Sequence, residues 1–252
     1  QALIQVFSWW IRESDCDGFR VDTVKHVDTA FWQAFGPAIR QAATSLGKTR
    51  FFLFGEAFIY DDTKVGAYTA RVGDSYAFDS MLYFPMQDTI KKVFKENAAT
   101  LSLRSTYANL TLYDTTSRER LVSFLDNHDM ARFLPAGNAS AYHSNLKLAL
   151  TFLMTTLGVP VLYYGTEQGF DGGQDPYNRE DMWDGAWDFG PSDGDNFNTG
   201  HALYCHVSQI ANLRKSWAPL RRGTQTERWV TSDAAGIYAY SRQDTSGEMV
   251  IV

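Results

Sequence analysis

Three acidic residues, Asp22, Glu56 and Asp129, stand where short apolar runs of the sequence end. A carboxylate in such a place can act as a general acid, a base or a nucleophile, or it can cap the helix that follows. One such residue alone is more often a cap, but three at comparable positions favour catalysis. Arg20 lies two residues before Asp22, hence on the same face of a strand, and Asn127-His128 directly precede Asp129.

The apolar runs alternate with stretches of helical periodicity, which predicts a parallel sheet built from βα units. Strands are predicted at residues 18–22, 51–56, 76–79, 121–126 and 159–164. Helices are predicted at about residues 3–13, 28–47, 81–97, 142–157 and 200–215. Residues 169–200 are rich in glycine and acidic residues and predict a long loop after the last of these strands.

This order of elements predicts the α/β class and a (β/α)8 barrel, in which the active site forms at the carboxyl ends of the strands. Eight strands close such a barrel, and only five are predicted, so the barrel is incomplete. After Pro219 the pattern changes to short antiparallel strands joined by polar turns. We therefore expect a partial catalytic barrel over residues 1–221 and the start of an antiparallel β domain over residues 222–252.

Composition excludes several classes of protein. The chain has 252 residues, of which 44% are hydrophobic, and a formal net charge of -6, so it is globular and offers no basic surface for nucleic acid. It contains no apolar run long enough to span a membrane and no signal peptide. Both ends are expected to be cut from a longer chain. The spacing of Cys16 and Cys205 leaves open whether they pair.

The segments around the three acids resemble, in order, signature segments of the α-amylase family of glycoside hydrolases. They read DGFRVDTVKH at residues 17–26, FGE at 54–56 and FLDNHD at 124–129. The similarity extends to VLYYGTEQ at residues 161–168 and DPYNR at 175–179, in a form closest to α-amylases and cyclodextrin glycosyltransferases. The resemblance implies barrel strands four to eight, with the first signature segment, strands one to three and the inserted domain absent from this chain.

The resemblance also implies roles for individual residues. Asp22 is expected to be the nucleophile, Glu56 the general acid and base, and Asp129 the third carboxylate, which steadies the distorted sugar. Such a pair of carboxyl groups, about 5 to 5.5 Å apart, is what a retaining glycosidase needs. Further residues are implied to bind substrate: Arg20, Lys25, His26, Phe58, His128, Asp175 and Arg179. The main-chain carbonyl of His26 corresponds to a calcium ligand, and most other calcium ligands are expected in the absent part.

The resemblance implies a retaining enzyme that hydrolyses α-1,4-glucosidic bonds in starch or malto-oligosaccharides and is extracellular. A transglycosylase needs the same carboxylates, and Phe58 beside Glu56 favours it mildly, because an apolar ring there can stack on an acceptor sugar. A third reading is a noncatalytic fragment or interaction subunit of the same fold. With strands absent, residues 1–252 alone are expected to self-associate or to assemble with the N-terminal part of the barrel, and to be nearly inactive.

Overall fold

The structure is a computed structural model and describes residues 1–73, 75–183 and 194–252. These residues form two compact units, which we describe separately. The first unit comprises residues 1–85 and 108–122, and the second comprises residues 86–107 and 123–252. The domain boundaries predicted from the sequence, 1–221 and 222–252, rest on a change of pattern and stay a prediction.

The first unit contains a small parallel sheet and several helices. Its strands are β1 (Gly18–Val21), β2 (Phe52–Gly55), β3 (Arg71–Val72), β4 (Ser75–Tyr76) and β5 (Ser80–Met81). Its helices are α1 (Ala2–Ser14), α2 (Thr29–Ser45) and α3 (Asp62–Ala67), and α4 (Phe84–Ile90) begins at the end of its first segment. Strands β1, β2 and β5 pair side by side in that order, while β3 and β4 form a separate antiparallel pair.

Helix α2 forms where the sequence predicts it. The Asp28 side chain accepts a hydrogen bond from the Ala30 amide at 2.7 Å, which satisfies one of the free amides of the first turn. One face of the helix is buried and carries Trp32, Phe35, Gly36, Ile39 and Ala43. These positions follow the 3.6-residue period of a helix with one buried face.

The parallel sheet fixes the strand ends that matter for the site. Val21 pairs with Gly55, and Gly55 pairs in turn with Met81. The strand predicted at residues 76–79 is wrong in position, because Ser75–Tyr76 pairs with Arg71–Val72 and the parallel strand is Ser80–Met81. The predicted strand therefore overlaps one end of a two-residue strand and stops just before another. Strands of two residues are too short for a periodic sequence pattern to predict.

The second unit contains the remaining elements. Its helices are the end of α4, α5 (Leu101–Ala108), α6 (His143–Thr155), α7 (Ala202–Ser216) and α8 (Ala218–Arg222). Its strands are β7 (Val159–Pro160), β8 (Thr224–Val230), β9 (Tyr238–Asp244) and β10 (Gly247–Ile251), and β6 (Val122–Ser123) lies where the two units' residue ranges meet. The antiparallel strands expected after residue 222 are present as a sheet in the order β10-β9-β8.

Three further expectations have mixed outcomes. The helix predicted at residues 81–97 is α4 followed by a π-helical stretch, Lys91–Lys95. The loop predicted at residues 169–200 has neither helix nor strand in its described parts, and residues 184–193 lie outside the described residues. Cys16 and Cys205 are free thiols. None of the described helices is both long and apolar enough to cross a membrane.

Gly36 offers a test of how α2 packs on its own unit. A Cβ atom at this position would lie 2.2 Å from the Ala77 carbonyl oxygen, so the backbone would have to move. Gly36→Ala gains up to about 1 kcal/mol of helix propensity and loses about 1–3 kcal/mol to overpacking. We expect a net loss of free energy of unfolding, measured by denaturant titration. Gln41→Ala, on an exposed position of the same helix, should be neutral or stabilising, and an equal gain in both variants would contradict this packing.

Asp114 offers a test of pH dependence in the same unit. Partial desolvation acts to raise the pKa of Asp114, but hydrogen bonds from Thr116 and Arg71 outweigh it and lower this pKa to about 2. The carboxylate therefore stabilises the folded state above about pH 4, and the contribution is lost as the pH falls from about 4 toward 2.

We expect Asp114→Asn to lower the free energy of unfolding on the order of 1 kcal/mol at neutral pH, allowing for solvent screening, and by less at pH 3. Urea titrations between pH 3 and pH 7 measure the difference. Asp233→Asn, at an exposed turn position, is the control and should show no such trend. A deficit for Asp114→Asn that grows toward acid pH would contradict the assignment.

Candidate active site

Two of the predicted acids lie at neighbouring strand ends in the first unit. Asp22 directly follows β1 and Glu56 directly follows β2, one residue beyond the pair Val21 and Gly55. The Glu56 amide donates to the Val21 carbonyl at 2.7 Å, so the parallel ladder continues to the site. Neighbouring strands are about 4.8 Å apart, which brings the two acids side by side. Glu56 is 6% exposed, whereas the Asp22 side chain is 58% exposed.

A sharp turn after Asp22 holds the Glu56 carboxylate. Thr23 has a φ of 53° in the left-handed region, a rare conformation for a β-branched residue. The turn directs the Thr23 amide to Glu56 Oε2 at 2.9 Å, and the Val24 amide donates to the Glu56 carbonyl at 2.9 Å. Backbone strain of this kind costs on the order of 1–3 kcal/mol and clusters at functional sites. Here the strained residue fixes the position of a candidate catalytic acid.

Arg20 is placed as the sequence predicts. It precedes Asp22 by two residues and points to the same side, so Arg20 Nη2 lies 2.9 Å from Asp22 Oδ1. The ion pair is partly exposed, and its contribution to stability is correspondingly small. It orients the Asp22 carboxylate.

Lys25, His26 and Phe58 lie on the loops that follow the two strands. Lys25 Nζ donates to the Phe58 carbonyl at 3.2 Å and lies 5.7 Å from the centre of the Phe58 ring. The Phe58 ring stacks on Phe84 with centroids 4.7 Å apart and keeps 37% of its surface exposed. His26 ends the short 3-10 turn after β1 and is exposed. The three residues thus present charge and an aromatic face beside the acids of this unit.

His128 and Asp129 lie in the second unit, on the loop that follows β6. The Asn127 side chain accepts a hydrogen bond from the Asp129 amide at 2.8 Å, which tightens the turn. His128 Nε2 lies 3.2 Å from Asp129 Oδ2, and both side chains are about 40% exposed. The loop therefore presents an imidazole and a carboxylate together.

Asp175 and Arg179 come from the long loop of the same unit and form an ion pair with each other. Arg179 Nε lies 2.7 Å from Asp175 Oδ1, and Arg179 Nη2 lies 3.6 Å from Asp129 Oδ1. Arg179 Nε also donates to the His128 carbonyl at 3.1 Å. Asp175, Arg179, His128 and Asp129 thus form one cluster. This geometry is compatible with two roles for Asp175 and Arg179, substrate binding and an ion pair that stabilises the loop.

Sequence reasoning missed three residues behind this cluster: Arg132, Asn178 and Glu180. All three are buried, at 1%, 0% and 2% exposure. Their signal in the sequence is weak, since an arginine in the run Met130-Ala131-Arg132-Phe133 and a glutamate after Arg179 both read as surface residues. Their burial depends on contacts between segments far apart in the chain.

The calcium prediction places most of the ligands outside this chain, so the described residues leave it a prediction. Residues 1–73, 75–183 and 194–252 contain no cluster of three or more His, Cys, Asp or Glu side chains that could hold a metal ion. Calcium prefers six to eight oxygen ligands, and the His26 carbonyl would supply one of them. No step below uses calcium.

Acidic residues at strand ends and a series of βα units are features of enzymes with a (β/α)8 barrel. Comparison with known proteins gives the family. Residues 1–188 match the family model "Alpha amylase, catalytic domain". The chain therefore belongs to the α-amylase family. Its structural neighbours are proteins of the (β/α)8 barrel fold, which confirms the predicted fold class.

Individual relatives include both hydrolases and transferases. The chain is 34% identical over 270 residues to the α-amylase of Streptomyces lividans, covering 98% of this chain and 29% of that protein. It is 32% identical over 231 residues to a cyclomaltodextrin glucanotransferase of Thermoanaerobacterium thermosulfurigenes, covering 90% and 28%. The α-amylase of Geobacillus thermoleovorans, solved in complex with acarbose, aligns with a TM-score of 0.80 at 31% identity, covering 99% and 51%. The chain thus spans less than a third of the two curated relatives.

Proposed function

We propose that this chain supplies the catalytic carboxylates of an enzyme that hydrolyses α-1,4-glucosidic bonds in starch-like polysaccharides with retention of configuration. The observation that carries the proposal is the position of Asp22 and Glu56, one residue beyond the paired Val21 and Gly55 on neighbouring parallel strands. A strand spacing of about 4.8 Å suits two carboxyl groups about 5 to 5.5 Å apart, the separation of retaining enzymes. Similarity to α-amylases and glucanotransferases supports the substrate class.

The reaction proceeds in two displacements. Asp22 attacks the anomeric carbon, while Glu56 donates its proton to the departing glycosidic oxygen, so the C–O bond to the leaving sugar breaks as the bond to Asp22 forms. Glu56, now ionised, then takes a proton from water, which attacks the same carbon and releases Asp22. The Thr23 amide bound to Glu56 Oε2 and the Arg20 pair with Asp22 hold these two groups in place.

The remaining residues bind and distort the sugar in this proposal. Asp129 is the third carboxylate, and His128 donates to sugar hydroxyls next to the cleaved bond. Lys25, His26 and the exposed face of Phe58 bind the leaving-group side, and Asp175 with Arg179 binds a glucose farther toward the non-reducing end. These roles rest on the resemblance of their motifs and on the side-chain exposure described above.

A transglycosylase is the second candidate, favoured by Phe58. Its stacked, 37% exposed ring follows Glu56 by two residues and can hold an acceptor sugar in place of water. The same two carboxylates serve both reactions, so the acceptor in the second displacement separates them. Incubation with soluble starch and analysis of the products distinguish linear malto-oligosaccharides from cyclic or elongated glucans.

We further propose that the complete enzyme is extracellular and that this chain forms strands four to eight of its barrel and the start of a C-terminal β domain. Among the described residues, β1 pairs only with β2, so its other edge is open. Leu3, Phe7 and Trp10 of α1 are 53%, 37% and 48% exposed. An open strand edge and an apolar helix face are surfaces that an N-terminal part of the barrel would cover.

The nucleophile assignment is tested by Asp22→Asn in the complete enzyme. An amide cannot form the glycosyl ester, so we expect turnover of starch to fall to background with the fold intact by circular dichroism. Asp17→Asn, an exposed acid at the opposite end of the same strand, is the matched control and should retain activity. Retention of more than a tenth of wild-type activity by Asp22→Asn, a barrier change under about 1.4 kcal/mol, would refute the assignment.

The acid assignment is tested by Glu56→Gln on two substrates. Because an activated aryl leaving group departs with little protonation, we expect a far greater loss of kcat/KM on malto-oligosaccharides than on an activated aryl maltoside. Glu13→Gln, on the exposed face of α1, is the control and should leave both rates unchanged. Equal losses on the two substrates would mean that Glu56 does not protonate the leaving group.

A further inference from the structure

An ion pair is buried behind the loop that carries His128 and Asp129. Arg132 Nε lies 2.9 Å from Glu180 Oε2, and the two side chains are 0% and 2% exposed. Removing two charges from water costs about as much as their attraction returns, so such a pair contributes little to stability by itself. In some proteins a buried pair of this kind fixes a local geometry instead.

The pair joins two loops of the second unit. Glu180 Oε1 accepts the Gly172 amide at 2.6 Å, and the Arg132 amide donates to the Gly172 carbonyl at 3.0 Å. The Arg132 guanidinium donates to the Tyr164 carbonyl at 2.6 Å and stacks on the Tyr163 ring, 3.9 Å from its centre. One end of the loop 127–132 is thereby fixed to the loop 172–180.

Asn178 holds the other side of the same loop. It is fully buried, and its Nδ2 atom donates to the Asn127 carbonyl at 3.2 Å and to the Met130 carbonyl at 2.7 Å. These two carbonyls flank His128 and Asp129. Both amide hydrogens of Asn178 are therefore used to fix the backbone on either side of the two candidate site residues.

We define the clasp as Arg132, Gly172, Asn178 and Glu180. Its buried polar atoms lower the stability of the fold compared with apolar side chains in the same place. Asn178 Oδ1 and Arg132 Nη2 are buried without a hydrogen-bond partner in the described part of the chain. Unpaired polar atoms in the interior are unfavourable, and apolar side chains would fill the same space without that penalty. What apolar side chains would not do is hold the carbonyls of Asn127 and Met130.

We propose that Asn178 and Glu180 are positioning residues: through the clasp they fix the loop 127–132 and so set where His128 and Asp129 meet the substrate. The proposal rests on the proposed function, in which those two residues act on the sugar. Neither Asn178 nor Glu180 touches substrate in this account. Misplacing a reacting or stabilising group by about 1 Å can cost roughly 100-fold in rate, so small shifts of the loop are sufficient.

Two variants open the clasp in different ways. Asn178→Asp keeps the side-chain shape but replaces the donor with a carboxylate oxygen, which faces the two carbonyls without a hydrogen bond. In Gly172→Ala the new Cβ would lie 1.9 Å from the Tyr177 carbonyl oxygen and 2.7 Å from Glu180 Oε1, so the loop must shift. Gly173→Ala is the matched control, because a Cβ there has no atom within 4 Å.

Two measurements on the complete enzyme report the effect. Hydrogen exchange by mass spectrometry follows the peptide of residues 127–133, with the α6 peptide of residues 143–155 as an internal reference. We expect exchange in the loop peptide to rise at least about tenfold in both clasp variants and to stay at the wild-type rate in Gly173→Ala. We expect kcat on malto-oligosaccharides to fall roughly 10–100-fold, with KM within about threefold of wild type.

Each other result overturns the proposal. Wild-type exchange in the loop together with wild-type kcat would show that the clasp positions nothing. An equal rise in the loop and α6 peptides, or failure of both variants to fold, would show that the clasp supports the fold as a whole. A wild-type enzyme inactive on every α-glucan would refute the proposed function, and with it the catalytic consequence of the clasp, while loop exchange would still report the positioning separately.

Discussion

The pairing of β1 with β2 in parallel register is the interaction on which the candidate active site depends. Because Val21 pairs with Gly55 in this ladder, the next residues, Asp22 and Glu56, lie next to each other at the same edge of the sheet. A Cβ on Gly55 would lie 2.8 Å from Met81 Sδ and 2.9 Å from Val24 Cγ2, so a side chain at this position would displace a neighbour. Close packing under the strand end and the strained turn at Thr23 then restrict where the Glu56 carboxylate can lie.

Positioning in the second unit follows another principle. Around His128 and Asp129 there is no long ladder, because β6 is only two residues long. Side chains from the loop 172–180 take its place: Asn178 and Arg179 donate to backbone carbonyls, and Glu180 binds both Arg132 and the Gly172 amide. A sheet edge fixes one set of residues through the backbone, and a buried polar network fixes the other through side chains.

Membership of the α-amylase family does not decide between hydrolysis, in which water is the acceptor, and transglycosylation, in which a sugar is the acceptor. Hydrolases and glucanotransferases are both about a third identical to this chain over nearly its whole length. In the proposed mechanism Asp22 and Glu56 would serve either reaction, because both reactions would pass through a glycosyl ester and differ only in what attacks it. Under this proposal specificity would depend on the surroundings of the two acids, which include Phe58 and its stack on Phe84.

The sequence by itself determined the features that depend on local pattern. Helical periodicity predicted α2, a strand-like segment predicted β1 and a continuous apolar run predicted β2, and the motifs around Asp22, Glu56 and Asp129 were sufficient for the family. It did not resolve the two-residue strands near Tyr76, where periodicity has no length over which to act. Only the tertiary structure decided that Arg132, Asn178 and Glu180 are buried, and that Arg179 binds the His128 carbonyl. Such contacts join segments about 50 residues apart, and a charged or amide side chain has no local signal for burial until its distant partner is in place.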